Sequence, residues 1–117
     1  MTTTIIANLE KMLGGPRDGA LLRYSLGNEW LKAGDPAQAA VCFRAAIERD
    51  AKYSAAWKLL GKALAENGEI QAALEAFDQG ILVAEQKGDI QAAKEMAVFS
   101  KRLGKQLDES GPQHPSA

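Results

Sequence analysis

Sliding the chain 34 positions along itself brings Leu26, Gly27, Gly34, Ala39, Phe43 and Ile47 onto Leu60, Gly61, Gly68, Ala73, Phe77 and Ile81. No other feature restricts the fold as much. A period of that length is one supersecondary unit, too small to bury its own apolar face, so each copy must stack on the next. The recurring residues are the smallest and the bulkiest ones, which set how closely two helices approach. Such a chain reads as a binding scaffold.

Helical spacing runs through almost the whole sequence, and no stretch alternates with the period of two that a strand requires. Residues 3 to 13 form a first predicted helix, with Ile5, Ile6, Leu9, Met12 and Leu13 on one stripe and a capping hydroxyl among Thr2 to Thr4; Gly14, Gly15 and Pro16 stop it. A second runs from about Asp18 to Ala33, where Leu22, Leu26 and Trp30 repeat every four residues and Gly34 ends the run. Asp35 followed by Pro36 is a helix start, an acceptor side chain before a residue with no N–H to lose, and Gln38 completes a capping-box pattern. The third helix so begun turns Ala39, Ala40, Phe43, Ala46 and Ile47 inward and Arg44, Glu48 and Arg49 outward.

After a break at Asp50 to Lys52, a fourth helix spans about Tyr53 to Asn67 on Trp57, Leu60, Gly61 and Leu64, closed by Asn67-Gly68. The fifth, roughly 70 to 87, buries Ile70, Ala73, Leu74, Phe77, Ile81 and Ala84. Gly88 closes it and Asp89 opens the sixth, 90 to 109, with Ile90, Ala93, Met96, Ala97, Leu103 and Leu107 on one side and Lys94, Lys101 and Lys105 on the other. Residues 110–117, which include His114, combine Gly, Pro and polar side chains and read as a disordered tail.

Composition narrows the function. With 14 Lys and Arg against 15 Asp and Glu, the chain lacks the basic excess by which nucleic-acid binders neutralise phosphates. No window is long and apolar enough for a membrane span, and the N-terminal stretch has no basic segment ahead of an apolar run, which predicts a cytoplasmic protein. The single cysteine, Cys42, reads as a small buried apolar residue, and alone it forms neither an intrachain disulfide nor a thiolate metal site. One histidine in the tail, scattered carboxylates and a Gly14-Gly15-Pro16 turn without the Lys-Ser/Thr of a phosphate loop give no catalytic constellation. Neither an enzyme nor a cofactor is predicted.

The repeated pattern resembles the tetratricopeptide repeat, a helix pair with a bulky residue, then Leu-Gly, an aromatic, and small-x-x-x-Phe-x-x-small. The unit over residues 20–53 supplies Leu26-Gly27, Trp30, Ala39, Phe43 and Ala46, and departs at Arg23, where Trp is usual, and at Ala51, where Pro is usual. The unit over 54–87 supplies Trp57, Leu60-Gly61, Ala73 and Phe77, with Leu64 and Gly80 at the aromatic and second small positions. In this register residues 3–13 are an N-terminal flanking helix and 88–109 a C-terminal capping helix, where Lys94-Glu95 replaces Leu-Gly. Gly27 and Gly61 are expected at the close approach within each hairpin, and Phe43 and Phe77 between the units. Trp30 and Trp57 are expected in the core, and Gly80 at a close helix contact.

The resemblance implies an all-α domain, 1–109, of antiparallel hairpins stacked as a right-handed superhelix, with the first helix of each hairpin on the concave wall. Carried onto this sequence, the groove residues are Leu21, Tyr24, Asn28 and Leu31 in the first unit and Ala55, Lys58, Lys62 and Ala65 in the second. Relatives that grip a partner's terminal carboxylate use Lys and Asn on successive first helices; here Asn28 and Lys58 match, whereas the third unit offers Asp89 and Ala93. Lys58 and Lys62 lie one turn apart and read either as that anchor or as solvated lysines. The expected partner is a protein or peptide, not nucleic acid or membrane, and the chain itself a monomer or weak homodimer. A structural subunit that self-associates through Leu82, Val83 and Val98 is the alternative, and an assembly or secretion chaperone a fainter one.

Overall fold

The structure, a computed structural model, describes residues 2–110. Among them lie six helices and no strand: α1 Thr2–Glu10, α2 Ala20–Lys32, α3 Pro36–Arg49, α4 Ser54–Glu66, α5 Ile70–Lys87 and α6 Ile90–Ser110. Each packs on the next in sequence, as an array of hairpins does. A radius of gyration of 15.4 Å and extents of 53 × 33 × 21 Å mark an elongated stack; a compact chain of this length comes to about 13 Å. No helix is long and apolar enough to cross a membrane.

The hairpin corners explain why two or three residues suffice to reverse the chain. At Gly34, Gly68 and Gly88 the backbone turns left-handed, with φ of 81°, 81° and 76°. That conformation lets the next N–H reach back to the ending helix: Asp35 donates to the Trp30 carbonyl at 3.0 Å, Glu69 to Leu64 at 2.8 Å and Asp89 to Ala84 at 2.8 Å. Asp35 then starts α3, its Oδ1 accepting the Gln38 N–H at 3.1 Å, and Asp89 starts α6 through the Ala92 N–H at 3.2 Å. The capping box read at Asp35 is therefore half formed. The Asp35 N–H closes the preceding helix, which leaves nothing for the Gln38 side chain.

The core repeats as the sequence does. Phe43 and Phe77 are buried to 0% and 1% exposure, and each ring lies over the glycine of its own hairpin. A Cβ on Gly27 would stand 2.5 Å from Phe43 Cε1, and one on Gly61 2.5 Å from Phe77 Cε1. Each phenylalanine thus packs first within its hairpin, and only then, through neighbours such as Leu60 and Leu64 for Phe43, between units. Gly80 sits where α5 meets both neighbours: an added Cβ would lie 2.8 Å from Trp57 Cβ of α4 and 2.5 Å from Met96 Sδ of α6.

Four expectations change. α1 ends at Glu10 rather than at residue 13, because Met12 and Leu13 turn back on the carbonyls of Leu9 and Glu10 to reach the left-handed Gly14. α6 runs to Ser110, one residue into the predicted tail; residues 111–117, His114 among them, and the side chains of Thr2 and Thr3 lie outside those described. Ile5, Ile90 and Ala97, placed on the apolar stripes of their helices, are exposed, since a terminal helix has a neighbour on one side only. Trp30, Trp57 and Cys42 are half-buried rather than core; burial still pushes the Cys42 thiol up.

Arg23, the departure from the repeat pattern, finds its reason here. Its guanidinium forks onto Asp18 at 3.0 and 2.8 Å, and Asp18 also accepts the Gly14 N–H at 2.8 Å, so the ion pair ties α2 to the loop before it. Trp57, at the matching position of the next unit, likewise donates Nε1 to the Ala51 carbonyl of the preceding loop at 2.8 Å. Two unlike side chains clip the same corner.

Candidate functional site

The curvature follows from which helices meet. α2 touches α4 and α4 touches α6, whereas among the described residues α3 and α5 do not approach each other. The stack therefore closes on the side of α2, α4 and α6, which form the inner wall, and splays on the side of α3 and α5. Trp57 and Leu60 line two shallow depressions bordered by Arg44, one of about 180 Å³ against α3 and one of about 130 Å³ that extends across to α5. That gap leaves the Trp57 indole half-buried.

The eight residues placed on the groove by resemblance fall into unlike surroundings. Leu21 is 69% exposed beside a depression that Met12 and Arg17 share. Tyr24 stacks on Tyr53 at 4.9 Å and tilts against Phe43 at 5.8 Å, so its ring is committed to the joint between α2 and α4. Burial raises the Tyr53 hydroxyl's pKa. Leu31 packs against the core, and Asn28 and Ala55 are half-buried.

Lys58 and Lys62 have different nearest partners. Lys58 Nζ donates to Glu95 Oε1 at 3.0 Å, and Gln91 donates to the second oxygen at 3.4 Å; both interactions hold the Glu95 carboxyl below its usual pKa. The acidic partner of Lys58 is thus supplied from α6 of the same chain. Lys62 instead stands 5.2 Å from the centroid of the Phe99 ring. A cation over a ring at that range contributes about 0.5–1 kcal/mol on an exposed surface.

Phe99 in turn stacks on Phe77 at 5.7 Å with planes 22° apart, and the two rings form the floor of an open apolar cleft of about 250 Å³. Ala65 and Leu103 complete its lining, while Lys62, Arg102 and Glu66 stand at its rim. Of the groove residues read from sequence, only Lys62 and Ala65 reach this cleft. Of the other contributors, Glu66 comes from α4, Phe77 from α5, and Phe99, Arg102 and Leu103 from α6. The signal for them was present: Phe99 lies one period after Ala65, and Ala92, rather than Ala93, one period after Lys58. Ala93 is buried, and Asp89 is engaged in starting α6 and accepting the Ser54 hydroxyl at 3.3 Å. Among the described residues no group of three or more His, Cys, Asp and Glu is placed to hold a metal ion.

Comparison with known proteins agrees with this architecture. The tetratricopeptide repeat profile matches residues 24–90. A TPR repeat-containing protein of Pseudomonas aeruginosa is 48% identical over 99 residues, covering 85% of this chain and 94% of that protein. The solution structure of a Bordetella parapertussis protein superposes with a TM-score of 0.79 at 36% identity, over 95% of this chain and 96% of its own. A tetratricopeptide repeat domain protein from Salinibacter ruber gives a TM-score of 0.68 at 27% identity, over 75% and 88% of the two chains.

Proposed function

The chain belongs to the tetratricopeptide repeat family, whose members serve in general as non-catalytic protein-interaction modules, and from that premise we propose that its inner wall binds a peptide segment of a partner protein. The observation that carries the reading is the cleft between α4, α5 and α6, apolar at its floor and open to solvent. A pocket of about 250 Å³ suits one apolar side chain, and the flat stacked rings of Phe77 and Phe99 favour a branched aliphatic or aromatic one. Lys62 and Arg102 at the rim favour a carboxylate next to that side chain, on the edge away from Glu66, which would repel it.

Plugging the cleft tests this. Ala65→Trp fills the space, and Lys62→Glu with Arg102→Glu reverses its rim. Wild-type protein used as bait in native extract should retain a protein that both variants lose, and a peptide from that protein should bind with an affinity that falls at least tenfold on plugging. Equal capture by the plugged variant would remove the cleft as the site.

Self-association as a structural subunit is the second reading. The exposed Leu82 and Val98 favour it, whereas Val83, expected to join them, is half-buried.

A further inference from the structure

α6 presents a packing face that no other described helix covers. In the repeat register its Ile90, Ala97 and Val98 correspond to Ala56, Ala63 and Leu64 of α4. Those three are buried to 0%, 0% and 2% exposure. On α6, however, Ile90 is 53% and Val98 46% exposed, and Ala97 is exposed beside them. Along the same face, and not opposite Ile90 and Ala97 as the sequence pattern suggested, run three exposed cations, Lys94, Lys101 and Lys105, one of which replaces the core residue Leu60. A helix that covered this face would have to bring an apolar residue and carboxylates at matching intervals.

The chain itself carries such a helix face. The outward stripe of α5 consists of Glu75, Asp78, Leu82 and Glu85, all exposed. Laid antiparallel, the two stripes coincide: Glu85 meets Lys94, Leu82 meets Ala97 and Val98, Asp78 meets Lys101, and Glu75 meets Lys105. Both helices rise about 1.5 Å per residue, so the intervals agree in space as well as in number. Pairing α6 with α6 of another copy would set lysine against lysine, a like-charge arrangement that suppresses that contact.

Building on the self-association reading, we propose that the outer face of α6 binds the outer face of α5 of a second copy of this chain, antiparallel, through three carboxylate–lysine pairs around a Leu82–Val98 contact. One chain contributes α5 and the other α6, so the contact is heterologous and extends head to tail as concentration rises. The edge is separate from the inner cleft, and neither depends on the other.

Sedimentation velocity from 10 µM to 1 mM tests it. In about 20 mM salt the wild type should shift from monomer to dimer and larger species, and its apparent Kd should weaken about tenfold or more in 0.5 M salt, where charges beyond a few ångströms are screened. Glu75→Lys with Asp78→Lys and Glu85→Lys, and separately Lys94→Glu with Lys101→Glu and Lys105→Glu, should each remain monomeric. Mixed at 0.15 M salt, the two should associate, because each then offers the charge the other lacks. Leu82→Ser with Val98→Ser, which leaves the net charge unchanged, should also be monomeric and guards against a general attraction of opposite charges. All the altered residues are exposed, and far-UV circular dichroism checks that each variant keeps its helices. A wild type monomeric at 1 mM in low salt would overturn the proposal, as would variants that associate like the wild type. Capture of a carboxylate-bearing helix of another protein by α6, without self-association, would equally overturn the choice of a second copy.

Discussion

Gly61→Ala and Gly104→Ala make the same chemical change in two helices of one chain, and the structure assigns them opposite signs. Alanine improves a helix over glycine by about 1 kcal/mol wherever its methyl is free. At Gly104 an added Cβ meets nothing within 4 Å, so most of that gain should appear, raising the melting temperature by about 2–4 °C at roughly 4 °C per kcal/mol for a domain of this size. At Gly61 the methyl would lie 2.5 Å from Phe77 Cε1 and 2.7 Å from both Cδ1 and Cζ. The ring is 1% exposed and held between Gly61 and the stacked Phe99 ring. Overpacking of a filled core costs about 1–3 kcal/mol, and three simultaneous overlaps place this case toward the upper end. Net of the helix gain, Gly61→Ala should lose about 1–2 kcal/mol and lower the melting temperature by about 4–8 °C.

Thermal unfolding followed by circular dichroism at 222 nm measures both variants on one scale. A double variant, Gly61→Ala with Phe77→Leu, adds a check on the mechanism. A smaller side chain at 77 relieves the overlap, so the double should lose less than the sum of the two singles. A Gly61→Ala melting temperature at or above that of the wild type would refute the reasoning, and strict additivity in the double variant would locate the cost somewhere other than Phe77.

Other substitutions probe the remaining contacts. Gly80→Val should lower the melting temperature by more than Gly80→Ala, because its Cβ is already 2.8 Å from the Trp57 Cβ, which side-chain rotation cannot move, and two further methyls must fit beside it. Lys58→Glu should lower the urea midpoint slightly, as for a surface ion pair turned repulsive, since it faces Glu95, whose Oε1 now lies 3.0 Å from the ammonium. Adding Glu95→Lys should restore most of that loss in urea titrations. Asp18 is held far below the usual carboxylate range, chiefly by its hydrogen bonds to the Arg23 guanidinium and then to the Gly14 N–H. A lowered folded pKa contributes stability that is complete above the unfolded value of about 4 and is lost as pH falls below it toward the folded one. The melting temperature of Asp18→Asn should therefore fall less than that of the wild type between pH 7 and pH 3, and equal acid sensitivity in both would contradict the assignment.

Much of the fold was legible because the information that sets it is local along the chain. Asp35-Pro36 announces a helix start from two adjacent residues, and the left-handed turns at Gly34, Gly68 and Gly88 occupy the positions where the helical pattern stops. Gly27 and Phe43, and Gly61 and Phe77, recur at the same offset in the sequence, but the rings were expected between the units, and only the structure lays each one over the glycine of its own hairpin. The candidate site was much less legible. Lys58 and Lys62 share one face of one helix, but one meets Glu95 and the other Phe99, residues that reach them only when α6 stacks on α4. Resemblance placed Tyr24 on the groove, yet its ring is spent on Tyr53.

The sequence by itself determined the number of helices, their order and the small and bulky residues at each contact, since periodicity and capping act through neighbours a few residues apart. Only the tertiary structure decided which apolar faces are covered. Ile90 and Val98 carry the pattern that buries Ala56 and Leu64, and they stay exposed because α6 has no following described helix to pack against it. The same stacking, not any motif, brought Ala65, Phe77 and Phe99 together into a cleft. An apolar stripe records that a helix can be packed upon; the presence of a neighbour is a property of the whole array.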